Sequence, residues 1–111
     1  MSSEYELKLQ SFIQNLHKEN FYEAHEDLES LWFKRRFEDD DDEVKLLKGF
    51  INASVSFELF KKGKVEASKK VWPTYLKYKE LIHNIESPYL DTYNLIIQEI
   101  QLIKQSQNKA E

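Results

Sequence analysis

The chain has 111 residues, with 16 basic and 20 acidic side chains and a formal net charge of -4. That balance argues against nonspecific nucleic-acid binding, because neutralising a phosphate backbone needs a basic surface. Cysteine is absent, which excludes disulfides, thiolate nucleophiles and thiolate-held zinc or iron-sulfur clusters, so any metal site must use histidine and carboxylate.

No uncharged apolar run is long enough to span a bilayer, and the polar start "MSSEYELK" lacks a secretory pattern, so the expected location is the cytoplasm. Aromatic residues are plentiful, while glycine and proline number two each. Large side chains packing long regular elements are favoured over a turn-rich sandwich or barrel. Residues 1–111 are expected to form one helical domain, since the length suits a single core.

Leu7, Phe12, Ile13 and Leu16 form a helical apolar stripe from Glu4 to about His17, with Ser2 and Ser3 as N-cap candidates. The polar "HKEN" breaks it, and a second helix runs from Phe21 to about Arg35 on Ala24, Leu28, Leu31 and Trp32. The acids of "EDDDDE", residues 38–43, lack the ligand alternation and glycine of a calcium hand. They suit a solvated loop facing the N-terminal dipole of the next helix. That helix is expected from about Glu43 to Lys62, with Leu47, Phe50, Ile51, Val55, Phe57 and Phe60 forming a surface broad enough for more than one neighbour.

Gly63 ends this helix as a left-handed cap, and "KVEASKKVW" restarts the pattern. Pro73 is expected to kink or divide the fourth helix. Ser87 and Pro88 mark the start of a fifth, which continues through Leu95, Ile96, Ile100 and Ile103 to a tail expected to fray from about residue 105. The basic groups "FKRRF" and "LFKKGK" are flanked by acids and suit solvated helix ends. The architecture predicted is all-α: a compact bundle of about five helices. Hairpin, repeat-like packing is suggested by an echo between "NFYEAHEDLESLW" and "GKVEASKKVW", in which Ser68 stands for His25 and Trp72 for Glu29.

Chemistry is concentrated in "EAHEDLESLW", residues 23–32. At 3.6 residues per turn Glu29 lies about 40° from His25, with Trp32 about 20° to the other side, so an imidazole and a carboxylate sit on an apolar face. Burying both is costly unless they pair with each other or with a ligand. "HEDLE" also resembles the zinc-protease helix with Glu29 in place of the second histidine, making His25 and Glu29 candidate ligands of a divalent metal and Glu26 a candidate general base. Tyr22, Asn52, Glu58 or a group from a second subunit are candidates to complete such a site, and oxygen-rich completion favours manganese, iron or magnesium. The competing reading is that His25 and Glu29 satisfy one another in the core while Trp32 packs. His17 and His83 read as surface residues.

"FYEAHEDLESLW" followed by "LLKGFINASVSFELFKKGK" resembles the domain of unknown function 309 family of small all-helical bacterial and archaeal proteins, over roughly residues 20 to 80. The resemblance implies a metal-binding role for the motif matched by His25, Glu29 and Trp32, to which a hydrolase label has been attached. Asn52 replaces the family's usual glutamine, and Leu59 stands where a later histidine is often found. Two functions follow as expectations. One is a metal-dependent hydrolase at His25 and Glu29. The other is a helical-hairpin interaction module, with a homodimer or a helical protein as partner and neither nucleic acid nor membrane.

Overall fold

A computed structural model describes residues 3–38 and 40–110. Ser2, one of the two cap candidates, lies outside the described residues, and Ser3 does the capping: its hydroxyl accepts from the Glu6 amide at 3.0 Å. The first helix, α1, runs Glu4–His17. It closes through Glu19, whose φ of 60° puts a non-glycine residue in the left-handed region. The amide of Asn20 then returns to the Asn15 carbonyl at 2.8 Å, so backbone groups freed at the helix end are satisfied within the turn. Helix α2 follows at once as Phe21–Lys34. Between α1 and α2, Asp27 accepts from Ser11 at 2.7 Å and from Asn15 at 2.8 Å.

Helix α3 spans Asp42–Lys61. Asp41 is its N-cap, accepting from the amides of Glu43 and Val44, with Asp42 and Glu43 in the first turn, where acids favour the positive end of the helix. The expected role of the acidic run thus holds for Asp41, Asp42 and Glu43, while Asp39 is outside the described residues. Val44, Leu46, Leu47, Phe50, Ile51, Ala53 and Phe57 are all buried. These positions spread over about half the circumference of α3, which packs against α2, α4 and α5 and is the central helix.

Helix α4 is Val65–Lys79, continuous through Pro73, and a 3₁₀ segment extends it over Glu80–Asn84. Proline therefore does not divide it. Pro73 is exposed, so its ring can face solvent. Extensive packing of α4 on α3 holds the remaining turns together. Gly49 sets their closeness: a Cβ there would come 2.9 Å from the Tyr78 Cβ. Ser56 and Ser68 join the two helices reciprocally, each hydroxyl donating to the other's backbone carbonyl, at 2.9 and 2.8 Å. Gly63, between α3 and α4, has φ +81°, as its cap position requires.

Helix α5, Leu90–Ala110, packs on α1 and α3. It starts later than the sequence suggests because Ser87 accepts from the Tyr89 amide at 3.1 Å and forms a turn ahead of the helix. At the other end α5 continues to Ala110 through the stretch expected to fray, and Gln107 donates to the Phe57 carbonyl at 3.4 Å. The fold is an all-α bundle in which each of α2, α3 and α4 packs on the helix before it. Among the described residues no helix is long and apolar enough to cross a membrane.

Candidate functional site

Helix α2 buries Phe21, Ala24, Leu28 and Leu31 against α1 and α3. This turns His25 and Glu29 to the margin of the buried face. The His25 Nε2 contacts the Glu29 Oε2 one turn on, with side chains 25% and 45% exposed. The pair therefore sits at the surface edge and not within the core, where the competing sequence reading put it. Its groups retain access to water and need no further partner to offset burial. The Tyr22 ring stands edge-on to the imidazole, with centroids 6.1 Å apart.

His25 forms part of the wall of a recess of about 170 Å³ between α2 and α3, together with Phe21, Tyr22, Val55, Glu58 and Leu59. Glu58 is turned to Lys62, 3.3 Å away. Leu59 adds an apolar wall. Of the residues named as completing groups, Tyr22 and Glu58 reach this recess. Asn52 does not: its amide donates to the Lys48 carbonyl in its own helix at 2.8 Å. Glu26, the candidate base, is exposed and accepts from the Tyr22 hydroxyl; that hydrogen bond, followed by the Glu26 charge, raises the Tyr22 hydroxyl above its ordinary pKa. Among the described residues no three His, Asp or Glu side chains are grouped to hold a metal ion.

Trp32 belongs elsewhere. It is half-buried against the core and lines a second cavity, of about 360 Å³, with Arg36, Val44, Lys45, Lys48 and Tyr78. The motif residues thus part company: His25 faces one cavity and Trp32 another. His17 and His83 are exposed, as expected, beside Glu99 and Glu80 respectively.

The most connected polar cluster joins residues that the sequence analysis had not grouped. Glu43 accepts from the Tyr93 hydroxyl at 2.5 Å and from Ser87 at 2.8 Å. Tyr93 spends its single hydroxyl proton on Glu43, so Tyr5, 2.6 Å away, must donate to the Tyr93 oxygen. Arg35 closes the cluster against Asp41 at 3.0 Å and Glu43 at 3.5 Å. Burial, set against the Tyr93 hydrogen bond, pushes the Tyr5 hydroxyl up to about 12. Burial first, then Tyr5 and Glu43, also drives Tyr93 upward. One signal was available in the sequence: Tyr93 falls in register with the apolar positions of α5, yet carries a hydroxyl that needs a partner.

Comparison with curated proteins and with solved structures gives no match. The family model described as Domain of unknown function (DUF309) matches residues 9–71, a span that holds α2, α3 and the start of α4 and includes every residue of the His25 recess. With its motif helix and central helix both inside the match, the chain belongs to the DUF309 family.

Proposed function

We propose that this chain is a non-enzymatic interaction module whose α2–α3 recess takes an apolar side chain from a basic amphipathic helix of a partner protein. One observation carries the reading: His25, oriented by Glu29, borders a recess otherwise walled by Phe21, Tyr22, Val55, Glu58 and Leu59. A groove between two helices with one apolar anchor point is the geometry of helix-in-groove recognition. Charge selects the basic partner, because Glu26 and Glu29 follow His25 along the exposed side of α2. Tyr22, 56% exposed, extends the same side with ring surface.

The test is a titration of the isotope-labelled protein with a synthetic amphipathic helix carrying leucine on one face and lysine beside it. Saturable shifts confined to Tyr22, His25, Val55 and Leu59, and lost in Leu59→Glu, are expected. Shifts spread over all acidic surfaces would sink the reading.

A second reading rests on the convergence of His25 Nε2 and Glu29 Oε2: the two could ligate one divalent ion, with Glu58 or a group from a second copy completing the shell and water activation as its chemistry. Elemental analysis after loading with manganese, iron or zinc separates the two. Stoichiometric metal lost in both His25→Ala and Glu29→Ala would favour a metal site and a hydrolase screen. Absence of bound metal in the folded wild-type protein would leave the interaction module.

A further inference from the structure

The cavity behind Trp32 is distinct from the His25 recess, and the two share no lining residue. Its walls come from three places: Trp32 and Arg36 from α2 and the turn after it, Val44, Lys45 and Lys48 from the first half of α3, and Tyr78 from α4. Three cations therefore meet at one cavity in a chain whose net charge is -4.

Three carboxylates of the same segment are engaged elsewhere. Arg35 takes Glu38, Asp41 and Glu43, and Glu43 is further held by Tyr93 and Ser87. Among the described residues, Arg36, Lys45 and Lys48 have no ion pair with a carboxylate. Lys45 and Lys48 are three apart on one helix, a like-charge spacing that is unfavourable. Lys45 also lies close to the positive end of the α3 dipole. An anion in the cavity would relieve both.

Arg36 is already fixed. Its Nη1 donates to the Phe33 carbonyl at 2.6 Å, and its guanidinium lies 3.6 Å from the Phe33 ring centre and 4.5 Å from that of Phe37. Such anchoring lowers the entropy lost when remaining donors meet a ligand. The volume, about 360 Å³, is at the small end of ligand pockets, which start at about 300 Å³. The two ring-bearing walls, Trp32 and Tyr78, supply surface on which a planar group can stack. Tyr78 is brought there by the close α3–α4 approach at Gly49.

We infer that this cavity binds a small phosphate-bearing anion with a planar ring, of mononucleotide size, its phosphate held by Lys45, Lys48 and Arg36 and its ring against Trp32. Phosphate recognition by converging cations is charge-assisted. Residues of α2, its following turn, α3 and α4 form the site within one chain, and it does not depend on the function of the His25 recess.

The experiment follows the indole N–H resonance of Trp32, assigned by its loss in Trp32→Phe, as adenosine 5′-monophosphate, ribose 5-phosphate, adenosine and inorganic phosphate are titrated into the full chain. Adenosine 5′-monophosphate should give a saturable shift at millimolar concentration or below. The exposed Lys48 and half-buried Lys45 can be changed without opening the core. With circular dichroism unchanged, a Lys45→Gln, Lys48→Gln double variant should bind about tenfold or more weakly, as the loss of charge-assisted contacts requires. Adenosine should not bind, and ribose 5-phosphate should bind less tightly than the nucleotide. The inference is overturned by no saturable shift up to about 10 mM, a range covering even weak ligands. It is equally overturned by affinity unchanged in the double variant, or by equal affinity for ribose 5-phosphate and the nucleotide.

Discussion

Glu29 and Glu43 are both carboxylates paired with neighbours, and their surroundings decide what each contributes. Glu29 is 45% exposed beside His25, and a solvent-screened pair contributes little. His25→Ala and Glu29→Ala are each expected to lower stability by less than about 1 kcal/mol in urea denaturation. Glu43 is 17% exposed and receives Tyr93, Ser87 and Arg35. Glu43→Ala would strand those donors and is expected to cost about 2–3 kcal/mol in the same measurement. The tyrosines make the cluster pH-sensitive at the alkaline end. Tyr5 rises from 10.0 to about 12 in the folded protein, so the folded state holds its proton more tightly than the unfolded chain. The associated stability is complete below pH 10 and is lost as pH rises towards about 12. Unfolding midpoints measured across that window should fall, less steeply in Tyr5→Phe, and a late-titrating tyrosinate absorbance should disappear in that variant. Periodicity could place His25 and Glu29 on one helix. It could not reveal that Glu43, one acid among several in a polar run, meets Tyr93 from the far end of the chain.

Helices α3 and α4 depend on contacts that work only at close range. Gly49→Ala would add a helix-favouring methyl, a gain of about 1 kcal/mol in propensity, but would press it against Tyr78. Overpacking of this kind costs about 1–3 kcal/mol, so the expected outcome is a net lower melting temperature and a displaced Tyr78 signal. Ser56 and Ser68 each donate a hydroxyl hydrogen bond to the other's backbone carbonyl across the same interface. Each single change to alanine removes one of two separate bonds and should lower stability by about 1 kcal/mol, with the double variant losing about the sum in urea denaturation. Some helix limits were marked in the sequence, since caps and breakers act locally: Ser3 and Gly63 stand where helices begin and end, whereas Ser87 forms a turn ahead of α5. Pro73 does not divide α4, because its local penalty is set against packing on α3 that no local rule includes. The echo between "YEAHEDLESLW" and "VEASKKVW" is also explained at this scale. Ser68, in the place of His25, is buried against α3, whereas the α2 position sits at the margin, so the same register supports a packing contact in one helix and an exposed pair in the other.

For the whole molecule, ligand linkage offers a direct check. If the chain is an interaction module without a structural metal, exhaustive chelation should leave the melting temperature unchanged, whereas loss of several degrees would mark metal bound to the native state. Saturating adenosine 5′-monophosphate should raise it, by mass action on the folded form. The sequence by itself determined the helical class, the order and approximate limits of the helices, the motif on α2 and the family resemblance. Those properties follow from short-range periodicity and local capping, which a linear reading contains. Only the tertiary structure decided that His25 and Trp32 serve different cavities, that Arg36, Lys45, Lys48 and Tyr78 converge, and that Tyr5, Glu43 and Tyr93 share one hydrogen-bonded chain. These depend on how helices distant in sequence cross and how closely they approach, which is set by the summed packing of the core.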